Sequence, residues 1–365
     1  MRLARRDSDT LGRYARRRDL STQERKDLIE KLQEKTGGPV LAIVTGDRQG
    51  METRIAPDIL ALVSEHLTRI GWAEQLALFL YTPGGDTVVG WGLVNLVLQY
   101  CTRFKVLVPF RALSCGTLIA LGADEIIVGK HGLLSPVDPS VASPFNPIAP
   151  GPQMPGAVNL LPVSVEDMVG FLDLAQKEIG LKTEESMVQV LSILAQHVHP
   201  MALGAVYRAR EQSNSLARSL LLRHMDDEAK VERIVKKLTQ ELPTHNYLIG
   251  RAEAVDQMEL DISLPDDDLD KLMWELYKEY EGWLQLTRPA SPELDLGAEG
   301  QKRVKYERAV VESVHDGALV QHVFVSDKEL RRIQATPPGT QMVLEQVIDR
   351  TIYQGWVAAK DGEVL

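Results

Sequence analysis

Two apolar runs between residues 78 and 139 end in residues that carry chemistry, and this constrains the chain more than any other feature. The run LFLY breaks at Pro83-Gly84-Gly85, and a second run ends just before Ser114. Residues 113–122, LSCGTLIALG, have the small residues and apolar spacing of a buried helix that begins at a serine. Two glycines after a strand free a backbone N–H to point outward, because glycine tolerates positive φ and brings no side chain. A serine at a helix N-terminus sits among unpaired N–H groups that stabilise developing negative charge. Each part alone is ordinary: Pro-Gly-Gly marks turns, and serine is a common N-cap. Their arrangement along one pattern is that of a serine nucleophile with an oxyanion hole.

That pattern alternates strands and helices. Short apolar runs at Leu41–Val44, Leu76–Tyr81, Lys105–Val108 and Glu125–Val128 read as buried strands. Helical spacing fills Ala56–Ile70, Thr87–Tyr100 and Ser114–Leu121 between them. The alternation predicts α/β layering with a largely parallel sheet. In such sheets ligands gather beyond the carboxyl ends of strands, where Gly84, Gly85 and Ser114 all fall.

The flanks differ. Residues 1–37 read as a polar helical segment, with a capping start at Ser21 or Thr22 and a Gly-Gly stop. Residues 135–163 carry many prolines, which excludes regular helix there and predicts a loop over the site. From 164 to about 242 the pattern is helical with a break at Pro200, and a charged helix is expected over 266–284. Residues 288–300 read as a linker, and 301–365, with alternating stretches such as ALVQHVFVS, as a small α+β appendage. The divisions are therefore 1–37, 38–287, 288–300 and 301–365.

Of 365 residues, 44% are hydrophobic and 25% charged, an ordinary globular balance. The net charge of −10 argues against nucleic acid as the main partner, although arginines cluster over 2–18 among aspartates. No run approaches the ~18 to 20 apolar residues of a membrane helix, and no apolar stretch follows the basic N-terminus as in a secretory signal. Two cysteines, Cys101 and Cys115, are too few for a disulfide framework. Eight histidines show no metal-ligand spacing, so neither a metal nor an organic cofactor is expected. A cytoplasmic protein follows as the expectation.

The motifs over 78–139 resemble the serine dehydrogenase proteinase family within the Clp-protease/crotonase superfold. They stand as Thr82-Pro83-Gly84-Gly85 and as Ser114-Cys115-Gly116 running on to Ala120-Leu121-Gly122-Ala123-Asp124-Glu125-Ile126. Residues 197–212 and 244–262 also look like that family, so the resemblance covers roughly 38–265. It implies a repeated β-α spiral core with helical additions and a serine peptidase activity using Ser, Asp and His in that chain order. Carried onto this sequence, the triad is Ser114, Asp138 in SPVDPS and His245 in THNY. Gly84 would shape the oxyanion turn, with the N–H groups of Gly85 and Cys115 as donors. A homo-oligomer acting on peptides or unfolded protein is implied as well.

Other readings stay open. Relatives of the signal peptide peptidase A type use a Ser–Lys dyad, for which Lys182, with Lys177 behind it, is the best-placed candidate. His131 is a further candidate base, whereas His197 and His199 flank the Pro200 bend and are expected to cap or pack. A crotonase-type acyl-CoA enzyme would use paired N–H groups without the serine. A non-catalytic scaffold would use residues 301–365 to bind a protein partner. Next to a helix N-terminus, the Cys115 thiol is expected to be activated and prone to oxidation if exposed.

Overall fold

Short β-branched runs separated by amphipathic helices can bury both faces of a sheet only by layering helices on each side. The computed structural model of the chain describes residues 21–137, 140–141, 144–149, 160–161, 163–335, 344–360 and 363–364. In chain order it begins with α1 (21–36), β1 (Val40–Thr45), α2 (Ile59–Ile70), β2 (Ala73–Tyr81), α3 (Thr87–Val97), β3 (Cys101–Val108), α4 (Cys115–Leu121) and β4 (Glu125–Val128). Short strands β5 (Leu133–Leu134), β6 (Ser140–Val141) and β7 (Val163–Ser164) lead into α5 (Val165–Asp173) and a π-helical turn over Leu174–Glu178. Then come α6 (Glu184–His197), α7 (Pro200–Leu221), α8 (Glu228–Lys236) and a second π-helical turn over Lys237–Glu241. The chain continues with β8 (Ile249–Gly250), α9 (Arg251–Asp256), β9 (Ile262–Ser263), α10 (Asp267–Leu284) and α11 (Pro292–Leu296). It ends in β10 (Gln301–His315), β11 (Ala318–Ala335), β12 (Leu344–Lys360) and β13 (Glu363–Val364).

Two compact units result, one formed by 1–133 with 261–365, the other by 134–260. In the first, nine strands make one mixed sheet in the order β13-β12-β11-β10-β1-β2-β3-β4-β9. Strands β1 to β4 pair in parallel, as the α/β alternation predicts. Residues 301–335, read from sequence as the start of an appendage, pair antiparallel with the core instead: β10 lies against β1, with Leu41 opposite Ser313 and Thr45 opposite Ala309. The parallel half thereby gains a covered edge, and the tail becomes a three-stranded ribbon continuing the sheet.

The two-residue side-chain period of a strand sets which layer each residue meets. Ala42, Val44, Phe79 and Tyr81 face a cluster with Leu28, Ile29 and Leu32 of α1 and Met273, Tyr277 and Tyr280 of α10. Gly37, at φ +76, ends α1 as the sequence predicts. A Cβ on Gly38 would lie 2.1 Å from the Gln75 carbonyl oxygen, so only glycine admits this approach to β2. The expected helix over 266–284 is α10, whose start is capped by Asp266 accepting from Leu269 N–H at 2.7 Å.

On the opposite face a chain of polar groups runs between α2 and the ribbon. His66 Nδ1 lies 2.7 Å from Ser313 Oγ, His66 Nε2 lies 3.0 Å from His322 Nδ1, and His322 Nε2 faces Glu65 at 3.5 Å. The Glu65 carboxylate favours the proton of His322 on Nε2. Nδ1 then accepts from His66 Nε2–H, and His66 Nδ1 accepts from the Ser313 hydroxyl. Every group is satisfied only with both rings neutral. Burial, then the neighbouring His322 and Arg69, push the His66 pKa down to about 3 from its ordinary 6.5.

Because the unfolded chain binds that proton more readily, stability is full above about pH 6.5 and falls as pH drops toward 3. Urea midpoints measured from pH 7.5 down to 4 are expected to decline, with a flatter slope in His66→Gln. Equal slopes for wild type and variant would remove His66 as a cause.

The second unit is mostly helical, as the 164–242 pattern predicts. His199 Nδ1 accepts from Met201 N–H at 3.1 Å at the start of α7, and its ring stacks on Phe145. The expected break at Pro200 is therefore a cap with proline in the first turn. Val231, Ile234 and Val235 of α8 are buried, and Val137 N–H donates to Leu238 O at 2.9 Å. Among the described residues no single helix is long and apolar enough to cross a membrane; only α6 and α7 together, bent by 104°, reach that composition.

Candidate active site

Strands β2 and β3 deliver both halves of the site. Beyond β2, Thr82 N–H donates to Arg111 O at 2.9 Å and Leu113 N–H donates to Thr82 O at 3.0 Å, so the two strand extensions are zipped up to Ser114. The Thr82 hydroxyl folds the turn that follows. It accepts from Gly84 N–H at 3.0 Å and from the Thr45 hydroxyl at 2.6 Å, and lies 3.2 Å from Gly84 O.

The turn brings its backbone against the serine. A Cβ on Gly84, which sits at φ +116, would lie 3.0 Å from Ser114 Cβ and 3.5 Å from Ser114 Oγ. Gly85 is held from the other side by Ile55. Ile55 N–H donates to Gly84 O and Asp86 N–H donates to Ile55 O, both at 2.9 Å. In a parallel bridge, bonds to the flanking groups leave the central residue's own N–H pointing away from its partner strand. Among the described residues the Gly85 N–H has no acceptor.

Ser114 itself has φ 51 and ψ −109, a conformation rare for a residue with a side chain. Its hydroxyl makes no capping bond to α4, although serine in that place normally caps. Strain of this kind costs roughly 1–3 kcal/mol and gathers at functional sites. At the first helical residue, the Cys115 N–H has no intrahelical acceptor. The sharp turn thus offers a hydroxyl beside two backbone donors, the Gly85 and Cys115 N–H groups.

Cys115 is not the activated thiol expected from its place at a helix start. It is fully buried, with its sulfur 3.1 Å from Asp86 O and in the space a Gly90 side chain would occupy. Burial, then the nearby Asp86, raise its pKa to about 12. Desolvation outweighs the helix terminus, and the thiol stays protonated.

The other candidates are placed one by one. Asp138 lies outside the described residues. His245 is exposed in the turn before β8, and Lys182 is exposed in the loop before α6; both belong to the second unit, as does Lys177, which pairs with Asp173 at 2.8 Å. His131 is exposed, with its ring 4.1 Å from that of Trp274. Among the described residues no three His, Cys, Asp or Glu side chains are gathered as a metal site. Sequence reasoning placed Thr82 in the turn motif without a role for its hydroxyl, and missed Ile55. The threonine before Pro83 was a visible clue, whereas Ile55 had none.

Residues 16–151 match the ClpP-like SDH-type serine proteinase family. Two uncharacterized proteins of Methanocaldococcus jannaschii are similar. One is 26% identical over 207 residues, covering 56% of this chain and 59% of the relative. The other is 38% identical over 64 residues, 18% of this chain and 22% of the relative. The chain thus spans about three fifths of the length of the first relative. Among solved structures, a 1510-N membrane-bound stomatin-specific protease is 14% identical with a TM-score of 0.34, over 63% of this chain and 81% of that one.

Proposed function

From the match of residues 16–151 to the ClpP-like SDH-type serine proteinases, we propose that the chain is a serine peptidase acting through an acyl-enzyme on Ser114. The observation that carries the reading is the strained Ser114, held with its side chain against the Gly84 backbone, with the Gly85 N–H, which has no acceptor among the described residues, and the Cys115 N–H nearby to receive an oxyanion. In this mechanism Ser114 Oγ attacks the scissile carbonyl carbon, and the carbonyl electron pair moves onto oxygen. The Gly85 and Cys115 N–H groups hold that oxyanion.

His245 takes the hydroxyl proton and returns it to the leaving nitrogen as the C–N bond breaks. Asp138 orients the imidazole and stabilises its charged form. Water then repeats the sequence on the ester, releasing Ser114. An imidazole suits this role because its ordinary pKa of ~6.5 lies near neutrality. Extended peptide or unfolded protein is the proposed substrate, with a homo-oligomer as the proposed working form and the cytoplasm as its proposed location.

Labelling by a fluorophosphonate probe, read by intact mass, tests the assignment. Wild type is expected to gain one adduct, Ser114→Ala none, and His245→Ala one that forms at least ~100-fold more slowly. An adduct that forms normally in His245→Ala but not in Lys182→Ala would replace the triad by a Ser–Lys dyad. An unlabelled wild type would sink the nucleophile.

A further inference from the structure

The turn that offers Gly85 to the site is not self-supporting. It is clamped by Ile55, and Ile55 ends a loop over 46–55 with no helix or strand of its own, whose Met51, Thr53 and Ile55 are buried. Residues 47–49 are tied to Tyr81, Arg111, Arg288 and Ala290, and the stretch around Gly46 and 51–53 that leads to Ile55 is held by one residue of the ribbon. Between β10 and β11 the register shifts across Glu307 and Ala309, which leaves Arg308 as the extra residue of a bulge. A bulge re-aims one side chain and frees backbone groups from the ladder.

Both consequences are used. The Arg308 carbonyl accepts from Gly46 N–H at 2.9 Å and from the Thr53 hydroxyl at 3.1 Å. A Cβ on Gly46 would lie 2.4 Å from that same oxygen, so the approach is as close as a backbone permits. The guanidinium reaches over the loop, with Nε donating to Met51 O at 2.9 Å and Nη2 donating to Glu52 O. Its remaining nitrogen, Nη1, donates to Ser326 Oγ at 2.9 Å and Gln354 Oε1 at 3.1 Å, tying β11 and β12 to the same group.

Within the loop, Thr53 N–H donates to Gly46 O at 2.8 Å and closes it on itself. Two residues on, Ile55 makes the paired bonds around Gly85. A continuous series of short polar contacts therefore runs from three strands of the ribbon, through Arg308 and the loop, to the backbone that lies against Ser114. We propose that Arg308 is a positioning residue for the oxyanion turn, making the C-terminal ribbon a working part of the site rather than a separate module. The proposal rests on the serine-peptidase reading for its catalytic consequence, but the mechanical link stands independently of it.

Lysine keeps the charge but not the planar fork that reaches both carbonyls and both side-chain acceptors. Arg308→Gln, Arg308→Lys and Thr53→Val, the last removing the hydroxyl bond to the Arg308 carbonyl while leaving the ribbon's own side chains intact, form the test. Hydrogen exchange at the Ile55 and Asp86 amides is followed by mass spectrometry, with a thermal melt on each variant and the fluorophosphonate rate split into probe affinity and maximal labelling rate.

The expected result is faster exchange at Ile55 and Asp86 in Arg308→Gln, smaller in Arg308→Lys. The maximal labelling rate falls ~10- to 100-fold while probe affinity holds, because misplaced donors act on the transition state. Thr53→Val is expected to move both readouts in the same direction. Unchanged exchange at the two amides in a folded Arg308→Gln, or in Thr53→Val should the arginine variants not fold, overturns the proposal. Raised exchange with an unlabelled wild type keeps the link and overturns the peptidase reading alone.

Discussion

Gly85→Ala is expected to reduce both probe labelling and peptide hydrolysis at Ser114 by at least ~100-fold, the range seen when one oxyanion donor is lost. A Cβ at this position would lie 2.2 Å from Ile55 O and 2.6 Å from Ile55 N. Those are main-chain atoms already committed to Gly84 and Asp86, so no side-chain rotation relieves the clash. The turn must leave Ile55, and the Gly85 N–H leaves its aim with it. The same substitution at a position whose backbone accepts alanine would leave activity unchanged and raise stability by about 0.4–1 kcal/mol. Labelling rates and a thermal melt on the same sample separate the two cases. A variant that labels like wild type would show that Gly85 N–H is not a donor to the reacting oxygen.

The second large effect is on stability. Glu312→Ala is expected to cost about 3–5 kcal/mol, the usual price of leaving one charge of a buried pair alone. Arg25 and Glu312 meet at 3.1 Å with side chains 1% and 0% exposed. Tyr280 Oη donates to the same carboxylate at 2.6 Å, and Gln321 also donates to it. Burial works against the Arg25 charge, and Glu312 more than restores it, so the arginine pKa ends above its ordinary value. Without Glu312 that balance is lost, and the Tyr280 hydroxyl loses its acceptor. Urea unfolding measures the loss. The double variant Arg25→Met with Glu312→Leu should recover most of it, because an apolar pair of similar size avoids the stranded charge. A loss under 1 kcal/mol for Glu312→Ala would mean water reaches the site.

Local chemistry made the tight turn after β2 and the helix start after β3 legible in sequence. Pro83-Gly84-Gly85 and Ser114 announce themselves because a tight turn and a helix start each demand particular residues within a few positions. The apolar runs of β1 to β4 were equally plain, being buried on both faces. Residues 301–335 were misjudged for the opposite reason. Ser313, Glu312, Gln321 and His322 interrupt the hydrophobic pattern of what are core strands. Glu312, Ser313 and His322 are explained by Arg25 or His66, far away in the chain and in no local window, and Gln321 by the same Glu312 across the ribbon. Cys115 shows a similar limit: the helix start was visible, but the burial that overrides it depends on Gly90 packing against the sulfur.

The place of β10 beside β1 has a consequence for biogenesis. Leu41 and Ser313 are neighbours in the sheet, so the ribosome must release more than two hundred and fifty residues between the two strands. Until then a nascent chain holds β1 with an open hydrogen-bonding edge, Arg25 without its counter-charge and the 46–55 loop without Arg308. Long-range pairing of this kind closes late. The turn that sets Gly84 against Ser114 therefore reaches its final support only after β10 is made, and a product terminated before β10 would keep that turn loose and its β1 edge open to aggregation.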